Sequence, residues 1–201
     1  ATTFLNTGNL VLGNGAGDTL TFAGGLTATA PAAISAAGTL NTTNTALSLG
    51  DANTALTLAA NLTLDTTGAN ASAGGSLTLG GLVNGTTANT ESLILNAGST
   101  GAVSVVGSMG QTTSLKTLTL TNSNGAVFNA PVSTGTSVVL TDTVAGQTIS
   151  FADNLSTPVL TTTAHGYHLE LLGTTTNVTD ANTATTFLNT GNLVLGNGAG
   201  D

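Results

Sequence analysis

Ala55-Leu56-Thr57-Leu58-Ala59-Ala60-Asn61-Leu62-Thr63-Leu64-Asp65 sets two apolar–polar–apolar triplets on either side of a short Ala-Ala-Asn step. Alternation with a period of two residues puts every second side chain on one face, the mark of a strand with one buried side. The same triplet recurs along the chain. It is found at Leu10-Val11-Leu12, Leu20-Thr21-Phe22, Leu47-Ser48-Leu49, Leu77-Thr78-Leu79, Leu93-Ile94-Leu95 and Val103-Ser104-Val105. Further on come Leu118-Thr119-Leu120, Val138-Val139-Leu140, Ile149-Ser150-Phe151 and Leu169-Glu170-Leu171. The triplets lie roughly 10 residues apart, separated by Gly, Asn, Asp and Thr, the residues of tight turns. Pro131 and Pro158 are expected at strand starts, where the missing N–H does least damage. Two less regular stretches, Ala30 to Gly38 and Thr66 to Ser76, read as loops.

Composition supports an all-β class. Apolar residues make up 40% of the chain and charged residues 5%, against roughly 25% charged in an average soluble domain. Disordered chains have the opposite balance. Thr, Val and Ile favour strands, and the usual formers of long helices (Glu, Lys, Arg, Gln) are scarce.

Two architectures give this spacing. In a parallel β-helix, or β-solenoid, short strands form coils of about 20 residues that stack along an axis. In a β-sandwich, strands alternate direction through hairpins. The narrow interior of a β-helix suits Leu, Val, Ile and Ala better than rings, and this chain has no Trp and five Phe. The outward positions hold Thr, Ser and Asn, which form hydrogen-bonded ladders when stacked. The β-helix is the expected fold, with tandem sandwich domains the alternative.

Residues Ala1 to Asp18 and Ala184 to Asp201 are the same eighteen-residue string, ATTFLNTGNLVLGNGAGD, at an offset of 183. Residues 1–183 therefore read as one complete tandem repeat, and residues 184–201 as the start of the next, identical one. The residue after Asp201 is expected to be Thr, followed by Leu-Thr-Phe-Ala-Gly-Gly as at Leu20 to Gly25. Missing caps, a missing signal segment and a missing initiator Met fit an internal stretch of an array, whose ends normally carry atypical polar coils. At the expected coil length the unit makes eight or nine coils and advances about 40 Å.

The net charge is −8, and Lys116 is the one basic residue. A surface without cations cannot neutralise phosphates, which argues against nucleic acid and anionic membranes as partners. No run approaches the roughly 18 apolar residues of a transmembrane helix. The absence of cysteine excludes disulfides and thiolate metal sites. Each 183-residue unit carries seven net negative charges, spaced closely enough along a fibre to repel one another at physiological salt.

The segments Asn9 to Gly13, Asp18 to Gly25, Ala55 to Asp65, Leu118 to Gly125 and Ser137 to Asp142 resemble the Thr/Gly/Asn-rich β-strand repeats of bacterial surface proteins. Autotransporter passengers and filamentous-haemagglutinin-like adhesins are among these. The resemblance spans the chain and is one of style, with no catalytic motif. It implies a right-handed parallel β-helix, extracellular or at the cell surface, serving as a structural segment of a long fibre or stalk. An adhesin shaft with weak repeated sites for cells or glycans is the alternative. Ice binding and a polysaccharide-active β-helix are weaker ones. The expected partners are neighbouring repeats stacked end to end, with lateral fibre contacts and a cell-surface or glycan ligand as further options.

Each candidate for chemistry has a plainer reading that outweighs it. Gly13-Asn14-Gly15-Ala16-Gly17-Asp18-Thr19-Leu20-Thr21 partly resembles the calcium-binding nonapeptide of β-roll proteins. Asn14 and Ala16 stand where that family has Gly, and consecutive turns do not repeat the pattern, so a Gly-rich turn is expected. His165-Gly166-Tyr167-His168-Leu169-Glu170 gathers both His and the one Tyr. His168 and Glu170 share a strand face, but zinc needs three or four ligands, and an exposed turn leading into a strand is expected. No G-x-S-x-G elbow selects a nucleophile among the serines. Asn-x-Ser/Thr triplets at Asn41, Asn61, Asn70, Asn84, Asn154 and Asn177 are as frequent as composition alone predicts. Thr19/Thr21, Thr117/Thr119 and Thr27/Thr29 offer the local pattern of a threonine ladder for ordering water or ice. The expectation is a non-enzyme with no catalytic residue, no cofactor site and no metal site.

Overall fold

The structure is a computed structural model that describes residues 1–68 and 72–198. It is an all-β solenoid of about 8 stacked turns, with no helix among the described residues, averaging roughly 23 residues per turn. All of the strand pairings among the described residues are parallel, and an isolated bridge between Thr43 and Thr67 is the antiparallel exception. A sandwich would pair its strands antiparallel, so the alternative architecture is excluded.

Each coil has three faces. The first is a nine-stranded sheet that takes one strand from each successive coil. Its order is Thr2–Thr3, Leu26–Ala28, Leu47–Leu49, Leu77–Leu79, Val103–Val105, Ala126–Phe128, Thr148–Phe151, His168–Leu171 and Leu193–Leu195. The second and third faces belong to one larger sheet, which most coils cross twice. The strand Ala55–Asp65 shows how. Its residues 55–58 pair with residues 33–36 on the second face, and residues 62–65 pair with 38–41 on the third. Leu10–Leu12 and Thr176–Val178 lie at opposite ends of the second face. Thr19–Thr21 and Val159–Thr162 lie toward opposite ends of the third.

Coil length varies more than the triplet spacing suggests. From Ile149 to its partner Leu169 is 20 residues, and from Leu47 to its partner Leu77 is 30. The longer coil contains the Thr66–Ser76 stretch, whose described residues form no strand. Its glycines fit tightly: a Cβ on Gly74 would lie 2.1 Å from the Ala97 carbonyl oxygen.

The loop expected over Ala30 to Gly38 is corrected by the structure. Ala33–Asn41 is a nine-residue strand with Ile34, Ala36, Ala37 and Leu40 buried. The alternation was disguised because alanine fills the inward positions. Ala36 lies opposite Leu58, and that larger neighbour occupies the volume alanine leaves. Pro131 directly precedes the strand Val132–Leu140, and Pro158 directly precedes Val159–Thr162.

Leucine dominates the interior. In Leu47–Leu49, Leu77–Leu79 and Leu26–Ala28 the outer two residues are buried and the middle one is half-exposed. Burying a Leu side chain contributes about 1.5–3 kcal/mol, and each coil repeats that gain against its neighbour. The interior nonetheless admits rings. Tyr167, Phe128 and Phe151 are the largest fully buried side chains. Ala126, in the same strand as Phe128, lies between Val103 and Ile149 on adjacent coils.

Polar side chains stack in register as well. Asn41, Asp65, Asn96 and Asn122 are successive partners at the end of the third face. Asp65 Oδ1 accepts hydrogen bonds from Thr67 N at 2.8 Å, Thr67 Oγ1 at 2.6 Å and Asn96 Nδ2 at 3.3 Å. Just beyond this column, Ser123 and Thr143 are fully buried and joined at 2.7 Å. The Asp65 and Ser123–Thr143 contacts satisfy groups that would otherwise be buried unpaired, whereas Asn41 Oδ1 and Asn122 Oδ1 in the same column are buried without a hydrogen-bond partner.

Candidate functional site

The Gly13–Thr21 segment folds as a closed turn. Asp18 Oδ2 accepts from Asn14 N at 2.8 Å and Gly15 N at 3.0 Å. The backbone hydrogen bond from Asn14, then that from Gly15, holds the carboxyl below its ordinary value, against a smaller opposing effect of burial. This carboxylate spends one of its two oxygens on its own turn. The turn also sits tightly on the next coil, with Thr39 N donating to Asp18 O at 2.8 Å. Among the described residues, no group of three or more His, Asp or Glu side chains is placed to hold a metal.

The His165–Glu170 segment divides in two. His165 is exposed, with Nδ1 3.3 Å from Asp142 Oδ1. His168 begins the strand His168–Leu171, where His168 and Glu170 face outward and Leu169 and Leu171 are buried. His168 Nδ1 accepts from Asn192 N at 2.7 Å, so that nitrogen is engaged in holding the following coil. Tyr167 departs from the expected exposed turn. It is fully buried, donating its OH to Leu140 O at 3.3 Å and accepting from Thr163 N at 3.2 Å. A hydroxyl in an apolar interior needs such partners, and the sequence carried no sign of them.

The threonine pattern is divided between faces: Thr27 lies outward on the first face between Thr3 and Ser48, and Thr19 and Thr119 lie in one interrupted column on the third. Thr19, Thr39, Thr63, Ile94, Thr119, Val139 and Thr161 succeed one another outward on the third face. Ile94 and Val139 break the run of hydroxyls. The column beside it begins at Thr21 and continues with Asn41, Asp65 and Asn96.

The Asn-x-Ser/Thr positions hold a role that the sequence did not indicate. Asn61 Oδ1 accepts from Ser92 N at 2.9 Å, and Asn84 Oδ1 from Thr112 N at 3.2 Å. Asn154 Oδ1 accepts from Thr175 N at 2.9 Å and from Thr174 Oγ1 at 3.2 Å. In each case a side chain on one coil caps a turn of the next. Asn41 lies in the polar column, Asn177 is exposed in its strand, and Asn70 lies outside the described residues.

One concave feature stands out. A cavity of about 550 Å³ opens where the last coils end, lined by Leu171, Thr176, Val178, Phe187 and Leu195 among others. These residues belong to the inner column of the first face, to the second face and to the segment lying over the third. The cavity is the mouth of the core at the last coil.

Lys116 is exposed on its strand, and no helix among the described residues is long and apolar enough to cross a membrane. Together these features define a β-solenoid whose polar side chains mostly join coil to coil. Compared with protein-family models, with curated proteins and with solved structures, the chain has no match.

Proposed function

We propose that this chain is a structural segment of a long tandem-repeat fibre or stalk at a bacterial cell surface. The carrying observation is the continuity of the ladder across the unit boundary. The second copy of the eighteen-residue string starts at Ala184 and goes on stacking on the coils before it. Leu193 pairs with Leu169, and Gly196 N donates to Leu171 O at 2.8 Å. Units joined in this way extend one core, because each coil buries its neighbour's apolar face. Low charge, the absence of cysteine and the resemblance to surface-protein repeats support the extracellular placement. The partners of this reading are neighbouring units of the same chain.

The test is the shape of chains carrying one and two units, measured by small-angle scattering and electron microscopy. The expected result is a rod that lengthens by about 37 Å per added unit at constant width. Two globules on a flexible linker would overturn the fibre reading. Labelling of intact cells with an antibody to the folded chain tests the location, and signal seen only after lysis would refute it.

A further inference from the structure

The two copies of the repeated string occupy different faces. In the first copy, Thr2 and Thr3 pair with Leu26 and Thr27 on the first face, and Leu10 to Leu12 pair with Ile34 to Ala36 on the second. In the second copy, the counterparts of Thr3 and Leu5 are Thr186 and Leu188. They lie over the third face, where Thr162 Oγ1 donates to Thr186 O at 3.3 Å and accepts from Leu188 N at 2.7 Å. The counterparts of Leu10 to Leu12 are Leu193 to Leu195, and they pair with Leu169 to Leu171 on the first face. Both parts of the string have moved by one face in the same direction. We propose that the 183-residue unit advances by seven turns and two of the three faces, so that successive units present the same surface features to different sides of the fibre.

The physical reason is that alternation specifies which side chains point inward but not which face a triplet joins. Leu10 and Leu12 are buried on the second face. Leu195 lines the core mouth beside Leu171 on the first. The same triplet thus pairs on the second face in one copy and on the first in the other, where it forms the outermost rung and all three residues are exposed. After three units the phase is restored at 23 whole turns, about 110 Å along the axis. Any feature of one unit, such as the pair of exposed His165 and half-buried Asp142, would then be displayed on three sides in turn. A partner could meet equivalent sites whichever side of the fibre it approached.

This rests on the stacked-array reading above, and site-directed spin labelling separates the two. The chain has no cysteine, so introduced pairs are unique. Nitroxides at Thr78→Cys and Ser104→Cys, register partners on the first face, report the solenoid itself. Nitroxides at Glu170→Cys and Val194→Cys, also partners, report the displaced phase. A pair at Asn177→Cys and Val194→Cys reports an undisplaced phase, in which the second copy would occupy the second face as the first does. Strong dipolar broadening is expected in the first two pairs and not in the third. Broadening in the third pair, or none in the second, overturns the displacement while the first pair still supports the solenoid. Loss of broadening in the first pair overturns both.

Discussion

Phe128 and Phe151 are register partners on adjacent coils, with rings stacked 4.6 Å apart and 6° from parallel. Both are fully buried, so the pair combines area burial with a ring–ring contact worth about 0.5–1.5 kcal/mol. Phe128→Ala should destabilise the chain by about 3–5 kcal/mol. Phe128→Leu should cost markedly less, because leucine fills equivalent inward positions at Leu49 and Leu79. Urea unfolding of the two variants checks this, and equal losses would show that leucine cannot fill the place of the stacked ring.

Tyr167 tests a different contribution. Tyr167→Phe keeps the ring but removes a hydroxyl that bonds both Leu140 O and Thr163 N. The expected loss is about 1–3 kcal/mol, because Leu140 O in the core and the half-buried Thr163 N each lose a partner. An unchanged unfolding midpoint would mean that water replaces the hydroxyl there.

Gly38 and Gly146 share a left-handed backbone, at φ +79° and +80°, but not the same surroundings. A Cβ on Gly38 would lie 2.2 Å from Asp18 O, whereas one on Gly146 would meet nothing within 4 Å. Gly146→Ala should therefore cost only the conformational penalty, about 1 kcal/mol. Gly38→Ala should cost more, because two coil backbones must separate. Thermal melts of the two variants decide it, and equal shifts would show that the corner has room to relax.

The parts of the fold that could be read from sequence are those where an inward residue is large and its neighbours are small and polar. Leu56, Leu58, Leu62 and Leu64 announce their strand, and the paired coils follow from its length. Alanine hides the same pattern in Ala33–Asn41, because an inward alanine next to Leu58 looks like a loop residue until the adjacent coil is in place. Tyr167 could not be placed from sequence either, because its hydroxyl partners lie on residues up to 27 positions away. The inter-coil caps at Asn61, Asn84 and Asn154 depend on contacts across 20 to 31 residues. Coils of unequal length give such contacts no fixed spacing. The displaced phase of the repeat was equally hidden, since a string cannot state which face it will join.

Asn154→Ala removes the acceptor for Thr174 Oγ1 and Thr175 N. Both donors are exposed, so water replaces much of what is lost, and the expected cost is about 0.5–1.5 kcal/mol. The effect should be local: amide exchange at Thr175 should accelerate while that at the remote, buried Leu79 is unchanged. Uniform acceleration along the chain would show instead that this clamp supports the whole stack.

Acid should open the Gly13–Thr21 turn before it unfolds the core. Asp18 has its carboxyl held below the ordinary value by hydrogen bonds from Asn14 and Gly15. A group whose folded value is lowered contributes stability above its unfolded value and loses it as pH falls through the folded one. The contribution is therefore complete at neutral pH and disappears below the ordinary aspartate value of about 3.9. The carboxylate is solvent-exposed, so the consequence is confined to its turn. Amide exchange at Asn14 and Gly15 should accelerate relative to the intrinsic rate as Asp18 is protonated, while exchange at Leu12 should not. In Asp18→Ala those two amides should be unprotected at every pH. An NMR titration midpoint for Asp18 at or above about 3.9 would show that the two backbone donors do not hold the carboxylate in solution.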